Sequence, residues 1–486
     1  MTRRTLLASP SAGLALQSGR PNPITEENSH AGTTEWQLKY YRRDHGAGSG
    51  LRSPQIEGYA SDTSVYPGDA IDMMVSTDPA RKFTIDFYRT GYYGGKGGRH
   101  MQRVPAIDGT PQEAPLMGME RVRECRWKPS YTLRVPANWR SGVYLAKLTV
   151  VGQPAQAYIV FVVKERRPAD LLFQVSDFTW QAYNKWPGWD SMYDTGINQV
   201  RNGFGYTGPN VRVSFDRPYG FYGQVHDVVL SNGSGEYLLW EHPMSYWLDQ
   251  QGYGVTYCSN LDTDREPEIL ARTKVFLSVA HDEYWTRRMY ENVTAARDRG
   301  LSIGFFSGNA LCQELVTYNS TVTGKPLRTF ARDKRFSDED LLMGVKSYGP
   351  GYGDWTVTRA DHWMFEGTGM KNGDSIVGLI GWEFHGTPSK AIPGLIEVAR
   401  SSLSPRSARP GRDADGIHSA VIYPGPKGNW VFNAGTIWWP EGLSCPPGHA
   451  PAGSQIARTS GPDERVQRIT ANLLNRMLRD SQVKLG

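Results

Sequence analysis

The chain changes rhythm near residue 165. Between 55 and 165, short runs alternate apolar and polar residues with a period of two, at 71–76, 83–88, 131–135, 142–150 and 157–164. Turn signals such as Pro67-Gly68-Asp69 and Gly94-Gly95 separate them. Alternation at this spacing predicts an all-β sandwich. The two long runs at 142–150 and 157–164 suit the closing hairpin of an immunoglobulin-like module. After Pro168, continuous apolar runs alternate with helix-like segments, the pattern of an α/β unit. Strands are predicted at 171–175, 255–258, 275–280 and 301–306, and helices at 237–251, 285–299 and 463–479. Gly252 and Gly300 close the first two helices. In the last helix Val466, Ile469, Leu473 and Leu474 fall on one face. Residues 320–450 read as strand and loop, and the Gly-rich loops between 345 and 375 are long enough to be functional. The predicted division is a leader at 1–20, an arm at 21–54, a β-sandwich at 55–165 and an α/β domain at 166–486.

The chemistry concentrates at one strand end. The run 275–280 leads into His281-Asp282-Glu283-Tyr284-Trp285, then a helix, then a second run ending in Ser307-Gly308-Asn309-Ala310. Such a β-α-β unit sets an imidazole, two carboxylates and a phenol just past the carboxyl end of a strand, where open α/β sheets hold ligands. Polar groups so near a buried strand end are costly unless solvated, paired or bound. His281, Asp282 and Glu283 are the candidate acid–base groups. Plainer roles remain open at this stage. Tyr284 and Trp285 suit aromatics packed at a helix start, and Asp282 and Glu283 suit charges facing a helix dipole. His281 equally suits a hydrogen bond to a backbone carbonyl. Trp180, Tyr183 and Trp186 fit either core packing or an aromatic pocket for a small apolar amide. The Ser307-Gly308-Asn309 turn has the geometry of a nucleophile elbow without its Cys. Ser307 comes too early in it and Cys312 falls inside the expected following helix, so a serine or cysteine hydrolase is the weakest reading.

Composition narrows the classes. The 486 residues include 15 Trp, 25 Tyr, 53 Gly and 31 Pro, which suits a strand- and loop-rich protein with aromatic-lined surfaces. Lys and Arg number 54 against 49 Asp and Glu, a net +5 too mild to imply nucleic acid. The four cysteines contain no C-x-x-C, which excludes a zinc ribbon and leaves at most isolated disulfides. Arg3-Arg4 followed by an apolar stretch at 6–16 has the layout of a twin-arginine export signal. An exported protein, periplasmic or extracellular, is therefore expected, and a cytoplasmic one if that signal does not function. No run reaches eighteen apolar residues, so no membrane span is expected.

The block Val-Ala-His281-Asp282-Glu283-Tyr284-Trp285, with Ala295-Ala296-Arg297-Asp298-Arg299-Gly300 and Phe305-Phe306-Ser307-Gly308-Asn309, resembles the large-subunit family of N,N-dimethylformamidase. The exported single-chain bacterial relatives are the nearest in layout. Tyr88-Arg89-Thr90-Gly91-Tyr92-Tyr93-Gly94-Gly95, Thr179-Trp180-Gln181-Ala182-Tyr183-Asn184 and Ser214-Phe215-Asp216-Arg217-Pro218-Tyr219 extend the resemblance. It implies a β-sandwich followed by a glutamine-amidotransferase-like α/β domain lacking the Cys nucleophile. It also implies a mononuclear iron held by two tyrosines and one glutamate, acting on a C–N bond of a small amide-like substrate. Carried onto this sequence, Tyr284 is one ligand, Tyr246 the nearest candidate for the second, and Glu366 the glutamate, with Glu383 as the other choice. Trp180, Tyr183 and Asn309 are the candidate substrate contacts. A homo-oligomer is compatible with the sequence. The competing reading is a non-catalytic, secreted binding module that keeps the fold.

Overall fold

The computed structural model describes residues 22–40, 52–53, 55–194, 211–220, 232–403, 416–450 and 461–485. The Arg3-Arg4 segment lies outside the described residues, as does much of the arm, although Pro23–Asn28 forms a short helix capped by Asn22.

Residues 57–163 form two sheets. Three strands, Glu57–Ala60, Ala70–Ser76 and Tyr131–Arg134, make one. The other runs Ser64–Val65, Gln156–Val163, Gly142–Val150, Lys82–Thr90 and Gly98–Asp108. Phe87, Tyr144, Ala146, Ile159 and Phe161 fill the core between them. The period-two runs thus locate five strands, and they miss Gly98–Asp108, whose outward face carries little apolar signal. The alternate residues Tyr88, Val143, Leu145, Val160 and Val162 are also buried, but in a second core. That core contains Val175, Trp180, Leu238 and Leu277 of the following module. The larger sheet is therefore covered on both faces. At roughly 1.5–3 kcal/mol for each buried Val or Leu, the two modules are held together by ordinary core packing.

The second module is a seven-stranded sheet in the order Val255–Ser259, Ala169–Val175, Thr273–Ala280, Ser302–Ser307, Trp430–Asn433, Ile417–Pro424, Ile396–Ser402. The first five pair in parallel and the last two join antiparallel. Numbered by sequence, the parallel part has the order 2-1-3-4-5. Its strand order reverses between Ala169–Val175 and Thr273–Ala280, so a crevice is expected beyond their carboxyl ends. The helices His242–Gln251 and Glu464–Asp480 pack on one face, and Asn260–Arg265 and Arg287–Asp298 on the other. Val466, Ile469, Leu473 and Leu474 are buried as their spacing predicts.

Three expectations change. The helix after the strand end begins at Arg287, not Trp285, because Tyr284–Thr286 is drawn into a parallel pairing with Gln313–Tyr318. No helix follows the Ser307 turn: that same strand, Gln313–Tyr318, takes its place, and Cys312 precedes it. The 345–375 region is partly sheet, with strands Val345–Pro350 and Gly353–Thr356. All four cysteines are free. No helix among the described residues is long and apolar enough to cross a membrane.

Candidate active site at the sheet switch point

The site is assembled from three strand ends and one loop. Thr273–Ala280 ends with Ala280 at φ +58°, a left-handed conformation that costs a non-glycine residue of order 1–3 kcal/mol. This kink turns the chain so that His281 and Glu283 leave the sheet together. Asn309, after the neighbouring strand, is also left-handed at φ +51°. The Gly308 N–H donates to the Ala280 carbonyl at 3.0 Å and ties the two turns. A Cβ on Gly308 would meet the Glu383 carbonyl at 2.4 Å, so only glycine lets the Glu383–Pro388 strand come this close. His385 fixes that strand: its Nε2 accepts from the Ala310 N–H at 2.9 Å, and its Nδ1 faces Asn433 Oδ1 at 2.7 Å. Burial holds the His385 pKa down to about 4, so it is a neutral pin.

Glu383 is thereby delivered to His281. Its Oε2 lies 2.8 Å from His281 Nε2, and Glu283 Oε2 lies 3.4 Å from the same nitrogen. Asn309 Nδ2 donates to Glu383 Oε2 at 3.0 Å. Burial opposes a charge on His281, but the Glu383 and Glu283 carboxylates override it and raise its pKa to about 10. The two carboxylates thus favour the protonated imidazole. All three side chains are buried.

Phenols cover the other side of Glu283. The Asp177–Tyr183 helix, which leaves the first strand of the sheet, ends at Tyr183, whose hydroxyl donates to Glu283 Oε2 at 2.7 Å. Ten residues on, the Tyr193 hydroxyl donates to Glu283 Oε1 at 3.2 Å and lies 3.2 Å from that of Tyr183. The two rings stack, 4.7 Å between centroids. Tyr193 also hydrogen-bonds the Tyr284 hydroxyl. Burial, then the Glu283 carboxylate, pushes all three phenols well above their usual range. The Glu283 backbone N–H donates to Thr179 Oγ1 at 3.1 Å, which ties the Glu283 main chain to the helix that carries Tyr183.

Several predicted site residues lie elsewhere. Asp282 points the opposite way, accepting from Gln174 (2.8 Å), Ser278 (2.9 Å) and Asn260 (2.9 Å) beneath the strand end. Tyr246 packs edge-on to Tyr92 and His242, facing the sandwich, and is not brought to Tyr284. Glu366 is exposed after a single helical turn, and its carbonyl accepts from Asn472. Glu383, the other choice, is the glutamate at the cluster. Trp180 donates to Glu241 (2.8 Å) and lines a small cavity between the modules, and Trp186 packs on Trp127 and bonds Glu57. Trp285 packs against Phe276 and Phe305. Cys312 is a buried thiol whose pKa burial raises, and Ser307 is buried without a base beside it, so neither is poised as a nucleophile. The helix dipole does not account for Asp282 and Glu283, since the helix starts at Arg287 with Thr286 as its cap.

Sequence reading missed Tyr193, and assigned Tyr183 to substrate rather than to Glu283. Their only local signal is the density of aromatics between 178 and 193.

A model of the family described as "N,N-dimethylformamidase beta subunit-like, C-terminal" matches residues 84–453. The chain belongs to this family. The match spans most of the larger sandwich sheet and nearly all of the α/β module, including every residue of the cluster. No curated protein matches the chain. Among solved structures, a family 123 glycoside hydrolase from Clostridium perfringens, reported in a study of glycolipid glycan hydrolysis, shares 9% identity over 56% of this chain. The chain spans about half the length of that protein, 51%, and the TM-score of 0.12 carries no argument about fold or function.

The donor set suits the iron that the family resemblance implies. Phenol and carboxylate oxygens are hard donors, and one imidazole nitrogen stands beside them. Candidate ligand atoms of His281, Glu283 and Glu383 lie within 4.8 Å of one another. Two phenols and a glutamate also meet, as Tyr183, Tyr193 and Glu283. The residues fit a metal centred on Glu283.

Proposed function

We propose that this protein is an iron-dependent hydrolase that cleaves the C–N bond of a small amide-like substrate. The observation that carries the reading is the convergence of the Tyr183 and Tyr193 hydroxyls on the two oxygens of Glu283. Beside them stands the His281–Glu383 pair at 2.8 Å. Tyr183, Tyr193 and Glu283 would hold the metal, with Tyr284 behind Tyr193 as a hydrogen-bond partner. Bound there, iron supplies Lewis acidity toward a carbonyl oxygen and toward water. The phenols would have to give up their protons on loading, so uptake should fall as pH drops.

The chain's own groups manage the protons. Water adding to an amide carbonyl must lose a proton, and the departing amine nitrogen must gain one. Glu383, held by Asn309 and facing His281 Nε2, accepts the first, and the pair returns it to nitrogen, so the C–N cleavage balances. The low-dielectric surroundings of these buried groups strengthen each interaction. Family membership supports hydrolysis at the family level, and the oxygen-rich donor set supports iron. The competing non-catalytic module has less support, because it leaves two buried phenols, the half-buried Tyr193 and two buried carboxylates clustered beside one histidine without a purpose.

The deciding experiment is hydrolysis of a panel of small N-substituted formamides and acetamides by iron-loaded protein, with Tyr183→Phe and Tyr193→Phe alongside. Amine release by the wild type and its loss in both variants is expected. Iron-free protein with undiminished activity, or no activity on any amide, would overturn the proposal.

A further inference from the structure

The segment Ser214-Phe215-Asp216-Arg217-Pro218-Tyr219 stands out in the sequence and contributes no atom to the site. Its central cation is fully buried, and its five N–H donors are all spent on one stretch of chain. Arg217 Nε donates to Gln181 Oε1 at 3.1 Å. One terminal nitrogen donates to the carbonyls of Trp186 (2.8 Å) and Asp190 (3.0 Å). The other donates to those of Gln181 and Asn184, both at 3.1 Å. These acceptors run from the end of the helix carrying Tyr183 to a point three residues before Tyr193. Asn184 adds to the clasp by donating to the Pro218 carbonyl at 2.9 Å and accepting from the Gly220 N–H at 3.1 Å.

The geometry points to Arg217 as the positioning residue of the phenol pair: it folds residues 181–190 around one guanidinium so that Tyr183 and Tyr193 stack and reach the same carboxylate. This rests on the metal reading above for its functional consequence, but not for the placement itself. The irregular loop between the two tyrosines is closed at its ends by the Met192 N–H on the Ala182 carbonyl and by the Lys185–Asp194 ion pair, and Arg217 holds its interior, residues 184–190, from outside. A planar fork with five fixed donors imposes a shape that a lysine's three rotating donors cannot. The neighbouring Arg328 makes a useful contrast. It belongs to the same locality, donating to Asp216 Oδ1 at 2.6 Å and 3.0 Å, and its ion pairs go to Asp216 and Asp62 rather than to residues 181–194. Its partner Asp216 anchors the segment, whereas Arg217 shapes the loop.

The test compares Arg217→Lys with Arg328→Lys in full-length protein carrying a single fluorotyrosine at position 193. In iron-free protein the ¹⁹F resonance reports the order of the Tyr193 ring without any metal. Arg217→Lys should broaden or displace that resonance, whereas Arg328→Lys should leave it in place even if its melting temperature falls as far. With ferric iron added, Arg217→Lys should bind at least tenfold more weakly and shift the phenolate charge-transfer band. An unmoved resonance in Arg217→Lys, or equal displacement in both variants, overturns the positioning role. Displacement in Arg217→Lys, together with wild-type protein that takes no iron, leaves the positioning role standing and refutes the metal reading instead.

Discussion

Two adjacent carboxylates, Asp282 and Glu283, divide one strand end into two regions of opposite character. Asp282 faces down into the module, where Gln174, Ser278 and Asn260 supply uncharged donors and no cation. Glu283 faces out, toward two phenols and the imidazole that Glu383 also approaches. Both are buried. The lower region is a satisfied hydrogen-bond network, of the kind that fixes a backbone turn. The upper region crowds two carboxylates against phenols whose anionic forms burial and the Glu283 charge disfavour, which is an arrangement for holding a cation and moving a proton. Adjacent positions with the same chemistry therefore do different work, because a strand end alternates the direction of its side chains.

Substitutions in the upper region should cost function and spare the fold. Glu283→Gln is expected to lower activity by about a thousandfold and to abolish iron binding, with the melting temperature little changed. Loss of folding instead, seen by circular dichroism, would erase the contrast. Glu383→Gln should cost about a hundredfold in kcat while iron stays bound, separating proton transfer from metal holding; steady-state kinetics with parallel iron analysis reads both. Substitutions in the lower region should do the reverse. Asp282→Ala leaves three buried donors without an acceptor, and should lower stability by about 3 kcal/mol in urea unfolding. Asp282→Asn should cost less than that.

A subtler difference appears with pH. Burial raises the Asp177 carboxyl to about 8 from an ordinary 3.8, and it too lies in the lower region, bonded to the Asn260 N–H at 2.8 Å. The folded chain keeps this proton up to about pH 8, whereas the unfolded chain releases it near 3.8. Its contribution is thus most favourable below pH 4 and declines as pH rises, levelling off above 8, with a slope of about 1.4 kcal/mol per unit at most. Asp177→Asn should flatten that slope in denaturation curves between pH 5 and 8. The smallest effect is expected at Tyr246→Phe and Glu366→Gln, which should leave iron content unchanged.

The legibility of the molecule followed the range of the interactions. Strands such as Gly142–Val150 and Thr273–Ala280, and the face of Glu464–Asp480, are set by local periodicity and could be read directly. The burial of the sandwich's outer face was hidden, because Val143 and Leu145 look the same whether they meet solvent or Leu277. At the site, His281, Glu283 and Tyr284 share one strand end and were found together. Glu383 could not be preferred over Glu366 by spacing, since the close approach at Gly308 decides it. Tyr193 was beyond reach because a buried arginine further along the chain dictates its loop. Tyr246, the nearest candidate to the second tyrosine that the family resemblance implies, sits on a helix whose face is turned to the sandwich.

The central claim is that Glu283 and the phenols of Tyr183 and Tyr193 form one iron site. Elemental analysis and visible absorption of protein purified without chelator test it most directly, with Tyr193→Phe and Tyr246→Phe measured in parallel. One iron per chain is expected, with a tyrosinate-to-iron band that disappears in Tyr193→Phe and persists in Tyr246→Phe. Protein free of iron, or a band indifferent to Tyr193, would contradict the account.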